Sequence, residues 1–278
     1  MVLTVKDFSV SGEDFQLIEN QEFGFLETTP RPSLNVLLNY YKSDDYISHT
    51  DTKRNLFEKA YHLVRNIALK RKLKLIDSFL TETKYVLDIG CGTGDFLKTA
   101  QQSNWKVLGI EPNEQARAIA NKKTRQAVFN SDKLNELKAN CFDVITLWHV
   151  LEHLPNLEEQ IKCFEKLLKP NGVLVIAVPN YKSYDAQHYK SFWAAYDVPR
   201  HLWHFNRTSI VKLVSKYNFK VKKVKPMFFD AFYVSLLSEK YKTGKMNVFK
   251  AFFVGLVSNL KYLSTKEASS LTYIIKKR

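Results

Sequence analysis

The stretch 86–94, VLDIGCGTG, constrains this chain more than any other. Val86, Leu87 and Ile89 have the pattern of a short buried strand. Gly90, Gly92 and Gly94 then permit a tight turn whose backbone can come close to a ligand. A helix over 95–102 follows at once, so its first amides face whatever the turn holds. Strand, glycine turn and helix together open a doubly wound α/β domain that binds a nucleotide. The spacing narrows which one. A dinucleotide fingerprint carries its third glycine at the sixth position, but counting from Gly90 that position is Asp95 and the last glycine comes one residue early. Asp88 would repel a pyrophosphate and pair instead with an ammonium group. No Gly-Lys-Ser/Thr follows, which excludes a P-loop.

A second strand, built on Val107, Leu108 and Ile110, ends in Glu111-Pro112-Asn113. That places an acid about 20 residues past the turn, where its two oxygens can take both ribose hydroxyls. A helix over 114–123 follows, then a weak third strand at 127–130 and a fourth at 142–150, FDVITLWHV. The helix over 157–168 is expected to stop at Lys169-Pro170-Asn171-Gly172, with 173–178 as the fifth strand. A helix over 208–217 and strands at 219–225 and 272–276 complete the pattern.

The glycine segment closely resembles motif I of the class I S-adenosylmethionine-dependent methyltransferases. The acid at Glu111, the Lys-Pro-x-Gly before the fifth strand and Leu151-Glu152-His153-Leu154 after the fourth are similar to that family in the same register. The resemblance implies a Rossmann-like doubly wound sheet of seven strands, the last two paired antiparallel at its edge, and S-adenosylmethionine as cofactor. It assigns cofactor contacts to Asp88, to the turn Gly90-Cys91-Gly92-Thr93-Gly94, and to Glu111 and Pro112. Asn130 and Ser131 fall at the adenine edge, and Trp148 borders the methionine part.

Residues 1–80 form an N-terminal extension: a hairpin from 15–18 and 23–29, a stiff Thr29-Pro30-Arg31-Pro32 connector, a helix capped by Ser33, an aromatic patch at 40–49 and helical spacing over 51–79. This layout is similar to bacterial methyltransferases that begin with a zinc ribbon, followed by Pro-x-Pro and a Tyr-Tyr stretch. No cysteine precedes Cys91, so the ribbon is degenerate and no metal is expected. The methyltransferase domain, 81–278, carries an insertion at 180–205 rich in Tyr, His and Trp, and an aromatic, helical cover at 227–263. That cover fits a lid over the substrate cleft, a homodimer surface or a membrane-touching lip.

Two clusters carry the chemistry. His149, Glu152 and His153 form HxxEH, which on a helix would put His149 near both of the others. Ubiquinone-type O-methyltransferases have a related ExxEH that binds a divalent cation, but the first position here is His. The alternative is that Glu152 and His153 simply hold the turn by hydrogen bonds. Pro199-Arg200-His201-Leu202-Trp203-His204-Phe205 resembles a Pro-Arg-His-Leu-x-His-Phe segment of the ribbon-type enzymes. It makes His201 the first candidate for base or substrate contact, with Arg200 as an anion clamp. In the alternative, Arg200 pairs with Asp197 while Trp203 and His204 pack the insertion.

The net charge of +14 raises anionic partners without choosing among them. No apolar run reaches the roughly 18 residues of a membrane span and the three cysteines are scattered, which together suit a cytoplasmic protein. The reading is therefore methylation of a small or carrier-linked acceptor, at oxygen first, with carbon and nitrogen open. Nucleic-acid or protein methylation is an alternative; against the former, Trp148-His149-Val150-Leu151 stands where Asn/Asp-Pro-Pro-Tyr/Phe belongs. A non-catalytic S-adenosylmethionine-binding protein is the other.

Overall fold

The computed structural model describes residues 2–37, 40 and 56–278. The patch at 41–49 and the start of the helical stretch after it lie outside the described residues. Two sheets form among the described residues. The larger is built from β4 (Tyr85–Ile89), β5 (Lys106–Ile110), β6 (Val128–Phe129), β7 (Phe142–Trp148), β8 (Leu168–Pro179), β10 (Phe219–Pro226) and β11 (Ser270–Lys277), in the order β10-β11-β8-β7-β4-β5-β6. Strands β4 to β8 run parallel, and β11 is antiparallel to both β8 and β10. This is the expected seven-stranded class I architecture, with its antiparallel edge pair.

Burial explains why the middle strands are the most apolar. Every residue of β7 before Trp148 is buried, as is Val173 to Val178, because helices cover both faces of a parallel sheet. On one side lie α2 (Leu56–Asp77), α3 (Asp95–Gln102) and α4 (Glu114–Thr124), the last capped by the Asn113 side chain, which accepts from the Ala116 N–H at 2.9 Å. Flanking β7 are α5 (Lys133–Glu136) before it and α6 (Leu157–Leu167) after it. The chain proceeds from β4 outward to β5 and β6, then returns to place β7 on the opposite side of β4. The strand order therefore reverses between β4 and β7, and the crevice beyond their carboxyl ends is where such sheets bind ligands.

The Lys169-Pro170-Asn171-Gly172 stop differs from expectation. It lies within β8, since Leu168 already pairs with Phe142 while Val173 pairs with Val144. The extra residues bulge outward, and Lys169 Nζ anchors them to Asp143 Oδ1 at 3.0 Å.

The smaller sheet has the order β1-β2-β3-β9, from β1 (Val2–Lys6), β2 (Asp14–Glu19), β3 (Leu26–Thr29) and β9 (Trp203–His204). Its first three strands extend the expected hairpin, and the short helix α1 (Leu34–Leu37) follows. The fourth strand comes from the 180–205 insertion, which also holds α7 (Tyr184–Tyr189). After it come α8 (Arg207–Ser215), with an Asn206/Ser209 capping box, and then the cover helices α9 (Asp230–Thr243) and α10 (Val248–Thr265).

Candidate functional site

The glycine turn leaves β4 with Gly90, Gly92 and Gly94 all at positive φ, and the Gly90 and Cys91 N–H groups both donate to the Ile110 carbonyl at 2.7 and 3.1 Å. The glycines do different work. A Cβ on Gly94 would stand 2.9 Å from the Ala120 Cβ, so Gly94 lets α3 and α4 close on each other. A Cβ on Gly92 would meet nothing within 4 Å, which leaves its face open to a ligand.

Glu111 closes the turn from β5. Its carboxylate is buried, with Oε2 accepting from the Gly92 N–H at 2.8 Å and Oε1 from the Asn113 N–H at 2.9 Å. Burial pushes its pKa up while the two amides hold it down. Each oxygen thus keeps a lone pair for a ribose hydroxyl. Pro112 offers its carbonyl to Arg117 at 3.0 Å, and Asn130 and Ser131 form the turn after β6. Trp148 ends β7 edge-on to Phe96, with the Lys72 ammonium 4.6 Å over its ring. Its indole N–H is buried without an acceptor among the described residues. An open glycine face, a bidentate acid and an aromatic wall fit an adenosyl ligand.

Asp88 is 2% exposed and accepts from Thr146 Oγ1 at 2.6 Å. Burial raises its pKa to about 7, against the pull of Thr146 and of Lys72. A carboxyl raised in the fold favours folding fully below its ordinary value, and that contribution is lost as pH rises through about 7. Asp88→Asn is therefore expected to stabilise the ligand-free protein at pH 8 relative to pH 5, by on the order of a few kcal/mol. Thermal melts of the two proteins across that range check this, and parallel curves would contradict it.

A cavity of about 560 Å³ opens on the residues that follow β7. It gathers the histidines and arginine singled out in the sequence: His149, His153, Arg200 and His201 all line it. The rings of His153 and His201 meet edge to face at 4.5 Å. His201 Nδ1 sits 2.9 Å from the Ala195 carbonyl and His153 Nδ1 3.0 Å from that of Arg200. A carbonyl only accepts, so each Nδ1 carries a proton, and in neutral His201 the Nε2 then presents a lone pair. Burial, with His153 and His204 nearby, holds the pKa of His201 well below 6.5.

The HxxEH residues are arranged differently from the helical expectation. His149 has φ +58° and Leu151–His153 is a single 3-10 turn, so no helix aligns the three. His149 instead points Nε2 to Asp230 Oδ2 at 3.0 Å, with Nδ1 3.6 Å from Glu152 Oε1. Burial alone would lower its pKa, but the two carboxylates raise it to about 10 and keep it a cation. Glu152 groups with His153 and His201, a donor atom of each lying within 4.8 Å of the others. A set of this composition can chelate a divalent cation.

Arg200 pairs with Asp197 and also donates to Ser9 Oγ at 3.1 Å. Trp203 donates to the Leu154 carbonyl at 2.8 Å. Thr28 gives its one proton to the His201 carbonyl at 2.6 Å, so His204 Nε2 donates to Thr28 Oγ1 at 3.0 Å. Burial pushes His204 down to about 3 and it stays neutral.

Sequence reasoning missed Asp230 and Lys72. The signal for Asp230 was present: it is the one carboxylate in the aromatic run 227–238. Lys72 sits in a lysine-rich helix, where nothing in the spacing separates it from its solvated neighbours.

The chain matches the profile of the methyltransferase-domain family over residues 56–224 and belongs to that family. A ubiquinone biosynthesis O-methyltransferase from Coxiella burnetii is 30% identical over 135 residues, 45% of this chain and 56% of that enzyme. The enzyme of the same name from Haemophilus ducreyi is 38% identical over 108 residues, 35% of this chain and 46% of that one. The chain thus spans about half the length of these curated relatives. Magnesium protoporphyrin IX methyltransferase from Synechocystis PCC 6803, solved with bound SAH, shares the fold with a TM-score of 0.58 at 15% identity, over 88% of this chain and 100% of that one. The cover helices and the first three strands of the small sheet lie outside the matched residues.

Proposed function

We propose that this chain is an S-adenosylmethionine-dependent methyltransferase that methylates a hydroxyl oxygen of a small or carrier-linked acceptor. The observation that carries the reading is Glu111, whose two oxygens bridge the Gly92 and Asn113 amides beside an open glycine face. Relatives named ubiquinone biosynthesis O-methyltransferase support oxygen as the acceptor atom. When bound, S-adenosylmethionine supplies an electrophilic methyl group on a sulfonium.

The protein's part is alignment, exclusion of water and removal of the acceptor proton. Asp88 and Glu111 hold the amino and ribose ends of the cofactor. Neutral His201 takes the hydroxyl proton on Nε2, its ring fixed by the Nδ1 bond to Ala195. Asp197 Oδ2, 3.7 Å from that nitrogen, stabilises the imidazolium that forms. His149, held as a cation between Asp230 and Glu152, positions the turn after β7 and is no base at neutral pH. The wall balances Glu152, Asp197 and Asp230 against Arg200, Lys240 and His149, while Phe8, Tyr233 and Tyr241 give it an aromatic side. An acceptor with an apolar ring and a hydroxyl fits this lining better than a polyanion.

The test incubates the protein with methyl-labelled S-adenosylmethionine and a cell metabolite extract, and reads the products by mass spectrometry. A single labelled product with its label on oxygen is expected, and no labelled product would overturn the reading. Because the histidine removes the proton in this account, turnover is expected to survive exhaustive chelation. A loss reversed by added Mg²⁺ or Zn²⁺ would move that role to the Glu152, His153 and His201 group.

A further inference from the structure

We propose that α10 and the basic segment leading into it form a docking surface for an anionic lipid bilayer. The helix buries one side firmly: Ala251, Val254, Gly255 and Ser258 face inward. A Cβ on Gly255 would come within 2.7 Å of the Phe232 ring, Phe252 stacks on that ring, and buried Ser258 donates to Asp185 Oδ1 at 2.6 Å.

The other side is uncovered. Phe249 is 90% exposed, Phe253 65%, Leu260 56% and Leu263 62%, with Val248 and Leu256 also exposed. These positions recur at helical spacing over the whole length of α10, so they form a continuous apolar stripe. Charge indicates what covers it. Between Glu239 and Glu267 there are six lysines, at 240, 242, 245, 250, 261 and 266, and no acid. All six are exposed, and of these Lys250 pairs with Glu239 at 3.0 Å.

An apolar stripe flanked by cations alone is the composition of a helix that lies in a membrane interface, with lysines at anionic headgroups. No helix among the described residues is long and apolar enough to cross a membrane, so the helix lies in the surface plane. A second copy fits less well, because a two-fold contact would bring one lysine set against the other. The surface adjoins the acceptor cavity, since α9 packs on α10 and contributes Asp230, Tyr233, Lys240 and Tyr241 to the cavity wall. The proposal does not depend on which acceptor that cavity takes.

The test is co-sedimentation of the full chain with vesicles of phosphatidylcholine alone or of equal parts phosphatidylcholine and phosphatidylglycerol. Binding is expected only to the anionic vesicles, weakening as salt rises. The Phe249→Ser, Phe253→Ser double variant should lose about tenfold per aromatic side chain removed. Both side chains are exposed, so its melting temperature and its cofactor binding should match the parent. Equal binding of parent and double variant, or equal binding to both vesicle types, would overturn the proposal. So would a lipid-free dimer in sedimentation velocity that the double variant dissolves, which would give the stripe to a second copy.

Discussion

Gly92→Arg is expected to abolish S-adenosylmethionine binding while leaving the protein folded. At φ +54° a side chain costs about 1–2 kcal/mol in backbone strain. The Cβ itself meets no protein atom within 4 Å, so the added bulk goes where the ligand would lie. Gly94→Arg is the contrast: its Cβ would strike Ala120, and the expected result is loss of folding before any question of binding. Glu111→Ala should weaken the cofactor by about 100-fold or more, since two hydrogen bonds to a charged acceptor are worth roughly 1.5–3 kcal/mol each. It also frees the Gly92 and Asn113 amides, which loosens the turn. Equilibrium dialysis with labelled cofactor, alongside thermal melts, separates these outcomes. Unchanged binding by both Gly92→Arg and Glu111→Ala would remove the cofactor from this crevice.

His201→Ala is expected to lower kcat by roughly 10²- to 10⁴-fold, the span for removing a positioned base. Cofactor affinity should hold, because the His201 ring bonds to the Ala195 carbonyl and faces Asp197, and takes no part in closing the glycine turn. The Thr28 bond runs to the backbone carbonyl of residue 201 and survives the substitution. Added imidazole should restore part of the rate if the lost group acted as a base, and none if it was a packing element. The pH profile supplies a second check. A base works unprotonated, and His201 titrates well below 6.5, so the parent's rate should stay level from pH 6.5 upward. The decline should come only as acid carries pH through that lowered value. A rate that falls on going from pH 8 to pH 6.5 would point to a different base.

Much of the candidate cofactor site was legible because it is local. A buried strand, a glycine turn and a helix within 86–102 involve residues adjacent in the chain, and Glu111 ends the next strand. The cavity proposed for the acceptor is built from distant segments. Trp203 and His204 make a two-residue strand whose partners are Glu27 and Leu26, a pairing with no periodic trace in either segment. His149 was expected beside His153 on a helix, but its left-handed backbone turns the ring to Asp230 on the cover. Leu168 folds over Gly172 and already joins β8, so the residues that read as a loop lie inside a strand. Charge pattern alone could not pick Lys72 from its neighbours, because only packing against Trp148 distinguishes it.

The most direct test is calorimetric titration of the intact protein with S-adenosylmethionine, followed by NADH over the same range. One saturable site for S-adenosylmethionine per chain is expected, displaced by S-adenosylhomocysteine, with no heat from NADH. A flat titration with S-adenosylmethionine, or saturable binding of NADH, would contradict it.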